Sequence, residues 1–112
     1  MTTLVSLEKL ATRMIKAHDE FDFDEMRTLI DPTVFSNRDT FFTKEKFVEV
    51  CEEVKASCGE MISIEAFGTL NKIESVQTLW KVTYSKTERE MLWIMNVVNE
   101  SGEYKIVYMS VH

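Results

Sequence analysis

A chain of 112 residues with 45% hydrophobic content is the size of one domain and carries more apolar side chains than a disordered segment would. The formal charge is −6, and the 13 Lys and Arg residues are scattered one or two at a time, which argues against a nucleic-acid-binding surface. Every apolar run is too short for a signal peptide or a membrane span, so we expect a cytoplasmic protein that does not associate with membranes.

Helical periodicity begins near the N-terminus. Ser6 is the expected N-cap of a first helix, whose apolar residues recur at helical spacing from Leu7 to Phe21. Asp22, followed three residues later by Glu25, is typical of a capping box and predicts a short second helix. That helix should stop at Asp31-Pro32, because a residue that precedes proline disfavours the helical conformation.

A third helix is expected from Thr43, its predicted N-cap, to Gly59, its predicted C-terminal stop. Cys51 and Cys58 both fall in this helix. Seven residues of helix separate two Cα atoms by roughly 10 Å along the axis, which is beyond disulfide reach. We therefore predict two reduced thiols.

After the third helix the apolar period changes from helical spacing to two, which predicts β-strands. The polar segments between the strands are typical of hairpins, and Gly102 can adopt the positive φ of a tight turn. We predict an antiparallel meander with strands near 62–66, 76–84, 91–97 and 104–110, connected at 68–73, 86–88 and 99–102.

In the last two strands both faces are apolar. The pattern of the fourth strand places Tyr104, Ile106, Tyr108 and Ser110 on one face and Val107, Met109 and Val111 on the other, the latter set alongside Leu92, Ile94 and Val98 of the third strand. Because neither face suits water, one should take the helices and the other a second subunit. We expect a homodimer formed through the sheet.

The order of helix, short helix, amphipathic helix and long meander resembles the nuclear transport factor 2-like superfamily. The residues that carry the resemblance are Phe21-Asp22-Phe23-Asp24, the segment 29–34, and the turn and strand at 102–106. It implies an α+β fold spanning residues 1–112 as one domain, with three N-terminal helices on a curved, cone-shaped, cystatin-like four-stranded antiparallel sheet. It also implies a pocket and homodimers. Isomerases, dehydratases, cyclases, binding domains and interaction modules share that fold, so the resemblance leaves the function open.

The ketosteroid isomerase branch of this superfamily can be compared residue by residue. Its carboxylate base would follow Thr33-Val34, where this chain has Ser36. Its oxyanion hole would need a tyrosine and a neutral carboxylic acid, where this chain has Met14 and either Ile94 or Met95. The sequence therefore argues against steroid isomerase activity.

His18 is the most suggestive polar residue, because it lies on the apolar stripe of the first helix. If it faces a pocket, Asp39 or Tyr84 could orient it for acid–base catalysis. The alternative is a surface histidine at the helix end, or a core histidine with its hydrogen bonds satisfied. We predict no metal site and no cofactor, since no spacing of metal ligands or phosphate-binding loop occurs.

Aromatic and methionine side chains are suited to the wall of an apolar pocket, although they can equally fill a core or a dimer interface. The candidate ligand-binding residues are Met14, His18, Trp80, Tyr84, Trp93, Met95 and Tyr108.

Three hypotheses follow. The favoured one is a noncatalytic homodimeric domain that binds a small apolar molecule. The second is an isomerase, dehydratase or cyclase that uses His18 with Asp39. The third is an interaction module whose sheet serves for association.

Overall fold

The computed structural model describes residues 2–32 and 43–112. In this part of the chain helices precede strands, and the strands pair antiparallel in the order β1-β2-β3-β4. This confirms the predicted α+β architecture with an antiparallel meander. The helices are α1 Thr2–Asp19, α2 Phe23–Leu29 and α3 Lys44–Cys58, and the strands are β1 Met61–Asn71, β2 Val76–Tyr84, β3 Thr87–Glu100 and β4 Glu103–Val111.

Local capping signals set the boundaries of α2 and α3. Asp22 accepts a hydrogen bond from the backbone N–H of Glu25 at 3.1 Å, and Thr43 accepts one from the N–H of Lys46 at 3.2 Å. Both predicted N-caps are confirmed. Ser6 as the first N-cap was wrong, because α1 already begins at Thr2. No glycine or proline stands before Ser6 to interrupt the helix.

The core lies between the helices and one face of the sheet. Burial alternates along β2 from Thr78 to Tyr84 and along β3 from Trp93 to Val97, so one face of these central strands is buried in the core. The buried face of these strands consists of Thr78, Trp80, Val82, Tyr84, Trp93, Met95 and Val97. We call this the concave face and its opposite the convex face.

The turn between β2 and β3 lies earlier than predicted. Ser85 and Lys86 form it, whereas Thr87 and Glu88 already belong to β3. Glu88, Arg89 and Glu90 at the start of β3 are polar and exposed. Such residues are typical both of turns and of exposed strand ends, so the sequence does not distinguish the two.

A register shift in β4 overturns the predicted face of Tyr108. Ile106 pairs with Val97, but Tyr108 pairs with Asn96, so one extra residue is inserted in β4. Tyr108 therefore lies on the convex face and is 48% exposed. The same shift moves Met109 and Val111 to the concave side, opposite to the face predicted for them.

The two cysteines lie in α3 and are free, as predicted. We expect a reductant to leave the melting temperature unchanged, because no bridge exists to be broken. The measurement is thermal unfolding by circular dichroism with and without a phosphine reductant. A fall of several degrees on reduction would contradict the helical placement of both residues.

A close approach at the junction of α3 and β1 requires glycine. Gly59 has a φ of 85°, and a Cβ there would meet the Ser85 hydroxyl and lie 3.0 Å from the backbone nitrogen of Lys86. The junction is closed by hydrogen bonds from Lys86 N to Cys58 O and from Ser85 N to Glu60 O, both 2.8 Å.

We expect Gly59→Ala to lower the free energy of unfolding by about 2 kcal/mol, since it combines positive-φ strain with a steric clash. Gly102→Ala is the matched control: its φ is 87°, but nothing lies within 4 Å of an added Cβ. It should lose only about 1 kcal/mol. If both variants lost the same free energy of unfolding in urea, the close approach at Gly59 would make no contribution to stability.

Candidate functional site

A cavity of about 130 Å³ lies between the end of α1, the C-terminal half of α3 and the concave face. Its wall is mostly apolar. Val50, Cys51 and Val54 contribute from α3, and Tyr84 and Trp93 contribute from the central strands. The helical period of α3 and the two-residue period of β2 and β3 direct these side chains to the same space.

His18, in the last turn of α1, stands at the wall of this cavity. Its Nδ1 lies 2.9 Å from the backbone oxygen of Met14, and its ring makes edge contacts with Phe47 and Trp93 at centroid distances of 4.9 and 5.1 Å. A carbonyl oxygen can only accept, so Nδ1 carries the proton. Burial lowers the pKa of His18 below its ordinary value of 6.5, although the hydrogen bond to Met14 acts in the opposite direction.

Tyr84 and Trp93 place two polar groups among the apolar walls. Burial raises the pKa of Tyr84 to about 12, so its hydroxyl stays protonated. The indole N–H of Trp93 acts against that rise in pKa. The two groups nevertheless do not reach hydrogen-bond geometry, and Trp93 Nε1 is buried with no acceptor in the part of the chain that the structure describes.

An ion pair closes the cavity at the end of α1. Asp19 Oδ1 accepts hydrogen bonds from Lys55 Nζ at 3.1 Å and from the backbone N–H of Met61 at 3.0 Å. This contact ties α1 to α3 and β1, and its two charges cancel. Burial, with a smaller contribution from Asp19, raises the pKa of the adjacent Cys51 thiol to about 11. Cys51 is therefore an unreactive neutral side chain.

A second cavity of about 150 Å³ lies toward the N-terminal end of α3 and is also mainly apolar. His18, Val50 and Met109 line both cavities. The imidazole thus stands where two apolar spaces meet, held in place by its hydrogen bond to Met14.

A larger depression of about 330 Å³, between α1, α2 and the β3–β4 hairpin, has a charged surface. Two of the three cations that line it are paired: Arg13 donates to Glu25 at 2.7 and 2.9 Å, and Lys105 pairs with Glu103 at 3.2 Å. This charged and more open groove is a weaker candidate for a small-molecule site than the two mainly apolar cavities.

The structure separates the predicted ligand-binding residues into three groups. His18, Tyr84 and Trp93 line the first cavity. The second group, Met14, Trp80 and Met95, is fully buried in the core and forms no part of its lining. Tyr108 was assigned to the wrong face, because the register shift in β4 turns it away from the cavity.

Asp39, predicted as a partner of His18, and Ser36 lie outside the described residues. Of the two positions compared with the neutral acid of ketosteroid isomerase, Met95 is in the core and Ile94 lies half-buried on the convex face. Within residues 2–32 and 43–112, no group of three His, Cys, Asp or Glu side chains is arranged to hold a metal ion. In the same ranges no helix has the length and apolarity to cross a membrane.

Comparison with solved structures identifies the fold. A designed nuclear transport factor 2-like protein titled Rd1NTF2_05, in a form with five substitutions, is similar with a TM-score of 0.63 and 12% identity, over 95% of this chain and 96% of that chain. This chain has the nuclear transport factor 2-like fold. The solution structure of a SEC-C motif-containing protein from Rhodopseudomonas palustris is also similar, with a TM-score of 0.56 and 13% identity over 85% of this chain and 70% of that one. No family model and no curated protein matches the sequence.

At these identities the likeness establishes the nuclear transport factor 2-like fold and does not extend to activity. It confirms the resemblance that the sequence suggested. The site must be interpreted from its own side chains.

The lowered pKa of His18 makes stability depend on pH. Because the unfolded chain binds a proton more readily than the folded one below pH 6.5, stability should be complete above that pH and fall as the pH drops toward the folded pKa. We expect His18→Phe to flatten this dependence between pH 7 and 5 in urea unfolding. Parallel pH curves for the two proteins would contradict the lowered pKa of His18 in the folded chain.

Proposed function

We propose that the chain is a binding domain for a small, largely apolar molecule held in the first cavity. The observation that carries the proposal is a cavity of about 130 Å³ with mainly apolar walls and a few polar groups, which is the usual composition of a ligand site. A domain whose sheet serves only for association has no need to keep such a space open, since filling it would add stability.

Toluene is a suitable first probe. Trp93 forms part of the cavity wall. Trp80 does not line the cavity, and its indole N–H donates to the Thr78 hydroxyl at 2.8 Å. Toluene should therefore shift the indole N–H resonance of Trp93 in a proton–nitrogen correlation spectrum much more than that of Trp80.

Val54→Phe places a ring inside the cavity and should abolish the shift. Val5→Phe makes the same change at a residue of α1 that is 56% exposed, and should leave the shift intact. If a saturating single-ring probe moves neither resonance, or if both variants bind alike, the cavity is not a binding site.

An enzyme that uses His18 is the alternative. It is favoured by the neutral imidazole, whose Nδ1 proton is fixed by Met14 and whose Nε2 has no partner among residues 2–32 and 43–112. Such a group can accept a proton. Asp19, the acid that follows it in sequence, is engaged by Lys55 and Met61 instead. Turnover of a β,γ-unsaturated ketone that is lost in His18→Phe would favour this alternative.

We propose further that a second copy of this chain covers the convex face. Leu79, Leu92 and Ile94 form a half-buried apolar centre there. Lys81 at its edge is paired with two carboxylates, at 3.2 Å from Glu65 and 3.3 Å from Glu90, so this group keeps a net charge of −1 outside the apolar centre. The apolar centre itself can pack against the same centre of a second copy around a two-fold axis, because apolar contacts need no partner of opposite charge.

A further inference from the structure

The charge state of the cavity wall restricts what can bind. Cys51 and Tyr84 are neutral at pH 7, because burial raises the pKa of the thiol to about 11 and that of the phenol to about 12. His18 is neutral because burial lowers its pKa. The charges of Asp19 and Lys55 cancel at 3.1 Å. An ionised ligand would therefore lose its hydration without gaining an unpaired counter-charge.

His18 adds a hydrogen-bond acceptor to a wall that also carries the indole N–H of Trp93, which is unpaired among the described residues. Its Nδ1 donates to Met14 O, so the lone pair of the neutral ring is on Nε2. No residue in the described ranges donates to Nε2. The ring cannot easily turn to satisfy it elsewhere, since Phe47 and Trp93 pack against it. A ligand that displaces water from this atom must supply a donor or leave the acceptor unpaired.

Cavity size sets a further limit. An apolar cavity of about 150 Å³ accommodates benzene, and this one has about 130 Å³. The room is therefore sufficient for one ring with a small substituent. A hydroxyl is the smallest neutral substituent that provides a donor.

On the basis of the proposed binding function, we infer that this cavity selects neutral single-ring molecules carrying a hydrogen-bond donor, of which phenol is the simplest, and that His18 Nε2 is the acceptor that makes the selection.

The test compares phenol with toluene on the full chain, with affinities taken from the Trp93 indole resonance at pH 7.5. Phenol loses more hydration than toluene on entering any apolar site, so the two affinities in one protein do not isolate the hydrogen bond. The hydrogen bond is isolated by the change in the phenol-to-toluene affinity ratio between the native chain and His18→Phe, because the desolvation of each ligand is the same for both proteins. Loss of a neutral hydrogen bond should lower the phenol-to-toluene affinity ratio roughly 3- to 10-fold.

His18→Leu provides a second variant that lacks the acceptor, for use if the phenylalanine variant does not fold. Anisole keeps the ring and the oxygen but has no donor, so its affinity ratio to toluene should be the same in the native chain and in the His18 variants. Benzoate should bind far more weakly than phenol. A ratio unchanged by both substitutions, or benzoate binding as tightly as phenol, would overturn the inference while leaving the binding function intact. Failure of every single-ring probe to bind would overturn both.

Discussion

Thr78→Val should lower the free energy of unfolding by about 2–4 kcal/mol, although it hardly changes the volume of the side chain. Thr78 is 1% exposed. Its hydroxyl donates to the backbone oxygen of Met95 at 2.9 Å and accepts from the indole N–H of Trp80 at 2.8 Å. Valine would remove both bonds and leave a buried N–H without an acceptor, which costs more than the net worth of the bond itself.

Thr78→Ser is the matched control for this prediction, because it keeps the hydroxyl and removes only a methyl group. It should lose about 1 kcal/mol. The free energy of unfolding of both variants can be measured by urea unfolding followed by tryptophan fluorescence, since the hydrogen bond in question involves Trp80. If serine and valine were equally destabilising, packing of the methyl group would explain the effect and the hydroxyl would have no special role.

Local signals in the sequence were sufficient for most helix boundaries. Asp22, Thr43 and Gly59 act within three or four residues of their partners, so their spacing along the chain contains the required information. Strict alternation likewise identified the buried face of β2 and β3, including Tyr84 and Trp93. The register shift between β2 and β3, between Val82 and Tyr84, leaves both residues on the buried face, so it does not disturb the alternation along β2.

In β4 the alternation of side chains predicted the wrong face, because the pairing of β3 with β4 is irregular. An inserted residue shifts the face of everything that follows it, and the alternation of Ile106, Tyr108 and Ser110 contains no sign of the insertion. Both faces of β4 are apolar enough that either register satisfies the pattern. Val111 was therefore missed as a lining residue, and Tyr108 was included wrongly.

The polar features of the site could not be predicted either, because they arise from contacts between distant segments. Asp19 meets Lys55 and the backbone of Met61 only once α1, α3 and β1 have packed. Cys51 and Val54, which line the cavity, lie on an apolar stripe of α3 that the sequence shows by its helical spacing. The position of a stripe cannot show whether the space facing it is filled.

A charge at the centre of the convex face should separate two copies of the chain. Ile94 lies on β3 between Leu79 of β2 and Ser110 of β4, and it is half-buried. In the proposed dimer its replacement by glutamate would bury an unpaired carboxylate, at a cost of about 4 kcal/mol. That corresponds to a rise of about a thousand-fold in the dimer dissociation constant.

Ile94→Glu should therefore give a monomer by light scattering at micromolar concentration, where the native chain gives a doubled mass. The fold should survive, since the carboxylate meets water once the copies separate, and circular dichroism checks this. Ile73→Glu is the matched control, because Ile73 is 101% exposed in the β1–β2 connection, away from the sheet face. It should leave the doubled mass unchanged. A native chain that is monomeric over the whole concentration range would show that the second copy does not cover this face.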